Sequence, residues 1–324
     1  MSVEEPAPGY VALFESGELV ERSRRFEEVL RHCTLCPCRC GVDRISGAVG
    51  LCGVDARAKI ASFYIHPWEE PPLSGETGSG TVFFSGCTMR CVFCQNYPIS
   101  QMGVGRVLSD EEFALNLLKL QKRGAKNINL VTGTHQAAAF VRALLLAVPE
   151  GLRLPVVHNT SGYETLETLR LLEGVVDIYL PDIKYADART AKRLSGRSDY
   201  VAVNRKALIE MWRQVGSLKL GADSVGRRGM MVRHLILPED LADTRNCLTF
   251  LAHSLGPSVW VSLMSQYFPA HKALHLAPLD RKVTRDEYEQ AVQILTELGL
   301  KNGYLQDDCP VEEESPSDIV HSCT

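Results

Sequence analysis

The sequence predicts an α/β chain whose main domain is a partial (βα)6 barrel of the TIM type, preceded by a cysteine-rich extension. Three observations carry that expectation. Strand-like apolar runs recur at residues 81–85, 127–132, 154–158, 176–181, 230–237 and 259–264. Helical patterns lie between and after them, at 110–123, 136–147, 163–172, 186–220 (interrupted), 241–254 and 285–298. Eight of the 11 cysteines crowd between Cys33 and Cys94. Runs this apolar are covered on both faces, and regular strand–helix alternation implies parallel strands joined by right-handed crossovers. Six units are too few to close an eight-fold barrel, and the phosphate-binding glycine fingerprint of a dinucleotide fold is absent.

In chain order, residues 1–80 read as a helix followed by a metal-binding extension, 81–305 as the barrel and 306–324 as a tail. The helix is expected over 18–31, with Leu19, Phe26, Val29 and Leu30 near one face. A cysteine-rich loop follows from Cys33 to Cys52. Residues 66–75 (HPWEEPPLSG) hold three prolines, which exclude helix and central strand alike. Residues 75–80 are a turn-rich linker. Capping boxes at Ser109/Glu112, Ser161/Glu164 and Thr284/Glu287 mark three helix starts. The last 18 residues carry six acidic side chains and no Lys or Arg, the composition of a solvated, disordered tail.

A net charge of -4 and a pI near 6.2 give no electrostatic case for nucleic acid or an anionic membrane surface. No apolar run approaches a membrane span, and the opening Met-Ser-Val-Glu-Glu has no basic stretch, so the chain is expected to be cytoplasmic. In a reducing compartment, clustered cysteines argue for metal rather than disulfides. Cys247 reads as core, and Cys309 and Cys323 as incidental thiols.

The chemistry concentrates in Cys87-x3-Cys91-x2-Cys94, directly after the first strand. A closed zinc or iron–sulfur site takes four protein ligands. Three thiolates hold a [4Fe-4S] cubane by three irons and leave the fourth open to a ligand. The plainer alternative is a trio of buried thiols or half a zinc site. Upstream, Cys33, Cys36, Cys40 and Cys52 make a four-ligand set for zinc or a second iron–sulfur cluster. Cys38 is then an extra thiol or a competitor, and a disulfide knuckle is the alternative. Barrel ligands sit at the C-terminal strand ends. The expected ends carry Thr132-Gly133-Thr134-His135, His158-Asn159-Thr160-Ser161 and Asp182-Ile183-Lys184, with Arg233 inside the fifth strand. His66, Glu70, Asn96 and His271 complete the pocket candidates, although a turn or an ordinary loop residue is the bland reading of each.

The cysteine triad, Thr132–His135, the Asn-Thr-Ser-Gly run at Asn159 and Asp182-x-Lys184 resemble the radical S-adenosylmethionine (SAM) superfamily, in its pyruvate formate-lyase-activating branch. Cys33-x2-Cys36-Pro37 with Phe83-Phe84-Ser85-Gly86-Cys87 resembles that branch's uncharacterised activase-like iron–sulfur proteins. The resemblance covers about residues 60 to 275. It implies a [4Fe-4S] cluster on Cys87, Cys91 and Cys94. Thr132, Gly133 and Thr134 would pass backbone groups to the SAM amine, and Asn159, Ser161 and Lys184 would hold its carboxylate and ribose. Phe93, His135 and Arg233 complete the implied cofactor-binding set, and Asp182 would help order a monovalent cation. Activases usually carry Asp where this chain has Asn159, which weakens any cation site. The activity implied is oxidoreductase chemistry: reductive cleavage of SAM to a 5′-deoxyadenosyl radical that abstracts hydrogen from an unidentified protein, peptide or small molecule. A flavodoxin- or ferredoxin-like electron donor is implied with it. The competing reading is a non-catalytic electron-transfer or metal-binding scaffold.

Overall fold

The computed structural model describes residues 7–306; the acidic tail, with Cys309 and Cys323, lies outside them. Helices α1 (Gly9–Glu15) and α2 (Glu18–Arg31) lead into an irregular segment, 32–57. Then come β1 (Ala58–His66), α3 (Pro71–Ser74), β2 (Ser79–Phe84), α4 (Tyr97–Ser100), β3 (Arg106–Leu108) and α5 (Asp110–Lys122). The one-turn α3 overturns the expectation that the prolines of 66–75 exclude helix: Pro71 and Pro72 open it, where a missing amide goes unused. The regular part follows: β4 (Ile128–Val131), α6 (Ala137–Ala147), β5 (Val156–Thr160), α7 (Leu166–Leu172), β6 (Ile178–Pro181), α8 (Ala188–Ser195), α9 (Tyr200–Val215) and β7 (Lys219–Leu220). It ends with β8 (Gly226–Leu235), α10 (Thr244–Leu255), β9 (Trp260–Met264), α11 (Arg285–Glu297) and β10 (Asn302–Gln306).

One sheet runs in the order β10-β9-β8-β6-β5-β4-β2-β1-β3, with the short β7 paired to β8. Neighbours from β2 to β10 are parallel, whereas β1 is antiparallel to both β2 and β3. No hydrogen bonds join β10 to β3, so the barrel is open. All six predicted strands are present. The structure adds a seventh parallel strand, β10, and the antiparallel pair β1 and β3. The sheet therefore extends back across residue 80.

Local chemistry explains the element ends. Ser109 and Thr284 accept the N3 amides of α5 and α11 while Glu112 and Glu287 reach back, completing both boxes. The third expected box does not form. Gly162, with φ +70°, turns the chain after β5, and α7 starts later, capped by Thr165. Glu164 is instead buried, and its Oε1 accepts from Thr134, Thr160 and His158. The interrupted pattern at 186–220 resolves into α8, ended by Gly196 at φ +70°, and α9. On the expected face of α2, Leu19, Phe26 and Leu30 are buried. They join the core in which Phe113, Phe140 and Leu144 back the sheet.

Candidate active site

The loop after β2 is irregular, yet its backbone polar groups are partnered, as buried peptide groups require. The Gly86 amide donates to the Ile99 carbonyl, and the Arg90 and Val92 amides donate to the last carbonyls of α8, at Ser195 and Leu194. The Val92 carbonyl accepts from the Lys272 and Ala273 amides. Arg197 donates twice to the Thr88 carbonyl, at 2.9 and 2.6 Å. Gly86 has φ +82°, and a Cβ there would stand 2.2 Å from the Cys52 carbonyl oxygen.

This bracing points Cys87, Cys91 and Cys94 into one cavity of about 360 Å3 at the C-terminal ends of the parallel strands. That volume suits a small-molecule ligand. The Cys87 sulfur accepts from the Met89 amide at 3.3 Å. Cys91 Sγ lies 3.0 Å from Ser195 Oγ, and Cys94 Sγ 3.2 Å from Ser100 Oγ. Burial and the neighbouring Cys91 and Cys94 push the Cys87 thiol up to about 12. Three adjacent thiolates therefore need a cation among them. As placed, the sulfurs bond to these hydroxyls: among the described residues no three His, Cys, Asp or Glu side chains converge as metal ligands. Binding requires the thiols to turn in toward one point.

The other strand ends supply the opposite wall. Thr132 follows β4 with φ +59°, a conformation a β-branched residue adopts only under constraint. Its amide is tied to the Asn159 carbonyl at 2.8 Å. Asn159 and Ser161 come from the end of β5, Asp182 and Lys184 from that of β6, and Arg233 from β8; all line the cavity with Phe93, Asn96 and His66. Lys184 is ion-paired with Asp182. Burial works against its charge, but Asp182 and the Cys91 thiolate outweigh that and hold the ammonium above its usual range. Arg233 donates to Glu70 from Nε at 2.7 Å and from Nη2 at 2.5 Å, and also pairs with Glu69. Burial disfavours the Glu70 carboxylate, yet Arg233 keeps its pKa below normal.

Several expected positions fall outside the cavity wall. Gly133 only turns the chain behind Thr132. Thr134 spends its hydroxyl on Glu164. His135, pushed down to about 4 by burial, bonds the Ser85 carbonyl at 2.8 Å, and Gln136 donates to the same oxygen. His135 thus positions the cysteine loop from behind. Glu70 is fully buried beneath Arg233. His271 stacks on Tyr97 with ring centroids 4.8 Å apart. Trp68, Glu69, Met264 and Gln306 line the cavity unforeseen. Trp68 and Glu69 had a signal as neighbours of His66 in the proline-rich segment, and Met264 as the last residue of the sixth expected strand. Cys33, Cys36, Cys40 and Cys52 lie in the segment 32–57, and all are free thiols. A larger cavity, about 720 Å3, lies near Gly9, Lys126 and Asp177; no cysteine lines it.

The Radical SAM superfamily model matches residues 81–231, from β2 into β8. An uncharacterized protein of Methanocaldococcus jannaschii is 29% identical over 284 residues, covering 85% of this chain and 77% of that protein. The pyruvate formate-lyase-activating enzyme of Clostridium pasteurianum is 25% identical over 200 residues, 58% of this chain and 74% of the enzyme. Among solved structures, HydG, a maturase of the [FeFe]-hydrogenase, aligns at TM-score 0.45 and 13% identity, over 68% of this chain and 49% of HydG. The matched model spans the strands that end at the three cysteines and at Thr132, Asn159 and Asp182, so residues 81–231 form a radical SAM domain.

Proposed function

We propose that the chain is a radical SAM oxidoreductase, similar to pyruvate formate-lyase-activating enzymes, that abstracts hydrogen from a substrate still to be identified. The observation that carries this is the meeting of three loop cysteines with the polar ends of β4, β5 and β6 in one cavity. The donor set fits the family's cofactor: three thiols give a [4Fe-4S] cluster three protein ligands and leave one iron for SAM. When bound, the cluster supplies the electron that cleaves SAM to methionine and a 5′-deoxyadenosyl radical.

The chain's own residues supply binding and shielding. The Ser195 and Ser100 hydroxyls lie 3.0 and 3.2 Å from the Cys91 and Cys94 sulfurs, near enough to donate to them once the thiolates hold a cluster, a contact that would tune its potential. The Thr132 backbone, Asn159 and Ser161 line the side where the SAM amino acid and ribose would lie. Lys184 brings a positive charge to the same wall for a carboxylate, held by Asp182. Met89 and Phe93 are buried at the cavity and limit water there. A flavodoxin- or ferredoxin-like donor would deliver the electron from outside.

The test is anaerobic reconstitution with iron and sulfide, followed by SAM and dithionite. The wild type is expected to release 5′-deoxyadenosine, and Cys91→Ala to lose both that product and the triad's iron. No product from the wild type, with iron content unchanged in Cys91→Ala, overturns the reading.

A further inference from the structure

The segment 32–57 folds without helix or strand, held by a few backbone bonds. The Cys33 amide donates to Val42, Gly41 to Cys33 and Arg39 to Cys36, while Gly53 donates to Gly50. Five cysteines in 20 residues line this fold, none in a disulfide. A Cβ on Gly50 would stand 3.1 Å from Cys40 Sγ and 3.4 Å from Cys52 Sγ, so those two sulfurs flank one point beside the glycine. Cys33 and Cys40 pack against the same core, while Cys38 packs with Cys87 and Cys91 and bonds the Cys36 thiol, which must exchange that contact for the metal.

Arg44 lies beside the same cysteines. It is 2% exposed. Its Nε and Nη2 donate to the Asp55 carbonyl at 3.2 and 2.6 Å, and its Nη1 lies 3.9 Å from Cys33 Sγ. Among the described residues no carboxylate forms an ion pair with it; the Asp55 carboxylate is taken by Arg57. A buried guanidinium whose hydrogen bonds go to one carbonyl and a thiol is costly unless anionic charge sits beside it, and the nearby Asp55 carboxylate is shared with Arg57. A metal tetrathiolate is anionic.

The segment also grips the radical SAM loop. The Cys52 carbonyl fills the place of a Gly86 side chain. Arg90 Nη2 donates to the Leu51 carbonyl at 3.3 Å, and Cys38 Sγ to the Thr88 carbonyl at 3.6 Å.

We propose that Cys33, Cys36, Cys40 and Cys52, whose sulfurs do not converge as placed, turn in to bind a thiophilic metal centre, Zn2+ or an iron–sulfur cluster, as a closed tetrathiolate that neutralises Arg44 and braces the cysteine loop at Gly86–Arg90. Cys38 is a contact to that loop and not a ligand.

The full chain carrying Cys87→Ala, Cys91→Ala and Cys94→Ala leaves this site alone with its metal. After anaerobic purification, metal analysis should find about one zinc or about four irons per chain, and X-ray absorption four sulfurs at about 2.3 Å for zinc. Iron in place of zinc identifies a cluster; either metal supports the proposal. Adding Cys40→Ser should remove at least nine-tenths of the metal, and adding Cys38→Ser should leave it. Stripping the metal should speed hydrogen exchange at the Gly86 and Arg90 amides about tenfold. The unmodified ligand set already decides the point if a serine variant fails to fold: no stoichiometric metal, or a zinc site with fewer than four sulfurs, overturns the proposal. Loss of metal on Cys38→Ser but not on Cys40→Ser overturns the ligand assignment, and unchanged exchange overturns the brace.

Discussion

Gly86→Ala tests whether the two cysteine loops are locked together. The structure separates two costs. At φ +82° any L side chain pays the left-handed penalty, about 1–2 kcal/mol. In addition, the new methyl would meet the Cys52 carbonyl oxygen at 2.2 Å, about 1 Å inside normal contact. Backbone must move to relieve that, and overpacking of this kind costs about 1–3 kcal/mol. Gly17 is the matched control, because its φ is +79° and a Cβ there meets nothing within 4 Å. Paired urea denaturations of Gly86→Ala, Gly17→Ala and the wild type should give Gly17→Ala the conformational penalty alone. Gly86→Ala should lose a further ~2 kcal/mol. Because the Cys87 thiol sits beside Gly86, iron uptake on reconstitution should fall with it in Gly86→Ala only. Equal losses in the two variants, within about 0.5 kcal/mol, would refute the interlock.

Three further outcomes follow from buried charge. Glu70→Gln keeps the side chain's shape but leaves Arg233 with Glu69 as its one carboxylate; unfolding free energy should drop by about 3 kcal/mol, and a neutral result would show the pair to be idle. Glu164→Ala strands the Thr134 and Thr160 hydroxyls and His158; a loss of about 3 kcal/mol is expected, with weaker SAM binding in equilibrium dialysis because the β5 end is no longer held. Burial pushes Asp177 up to about 6, against the amides of Gly9 and Val156 that it accepts. The folded chain then binds more protons than the unfolded one between about pH 4 and 6. Stability from this group is therefore present at low pH and is lost as pH rises through 6, by roughly 3 kcal/mol. Asp177→Asn should flatten that slope relative to the wild type, and identical slopes would rule the linkage out.

What was legible followed from the physics of each element. A parallel strand covered on both faces is a short apolar run, so the six central strands could be read directly. At the edge, β10 alternates between half-buried and exposed residues and shows no such run. The antiparallel β1 is only partly buried over most of its length, for a similar reason. The Ser161/Glu164 pattern was misleading because a capping box is a local signature, whereas Glu164 answers to His158 and Thr134 in the tertiary fold. In the site, strand ends arrive in chain order, which made Thr132, Asn159, Asp182 and Lys184 readable from position alone. Arg233 and Glu70 are 163 residues apart, and no local pattern announces that pairing.

Charge is what ties the cavity to its chemistry. Its wall carries three thiols, Asp182 and Glu69, against two cations, Lys184 and Arg233. Both cations are already matched: Lys184 by Asp182, and Arg233 by Glu69 and the buried Glu70. Once the thiols ionise, nothing else charged on the wall offsets them. In a low-dielectric pocket that excess is expensive, so it favours cationic occupants. An iron–sulfide core would be one such occupant, held by the three sulfurs as thiolates. A sulfonium is another, and SAM carries one. The amino-acid end of the same ligand is zwitterionic and needs local partners rather than net charge, the part that the proposed function assigns to the Thr132 turn, Asn159 and Lys184. Lys184→Met should therefore weaken SAM binding by about tenfold, the cost of one charge-assisted contact, while iron content, read on the same sample, stays near wild type. A loss of iron equal to the loss of SAM binding would mean that Lys184 serves the thiolates instead.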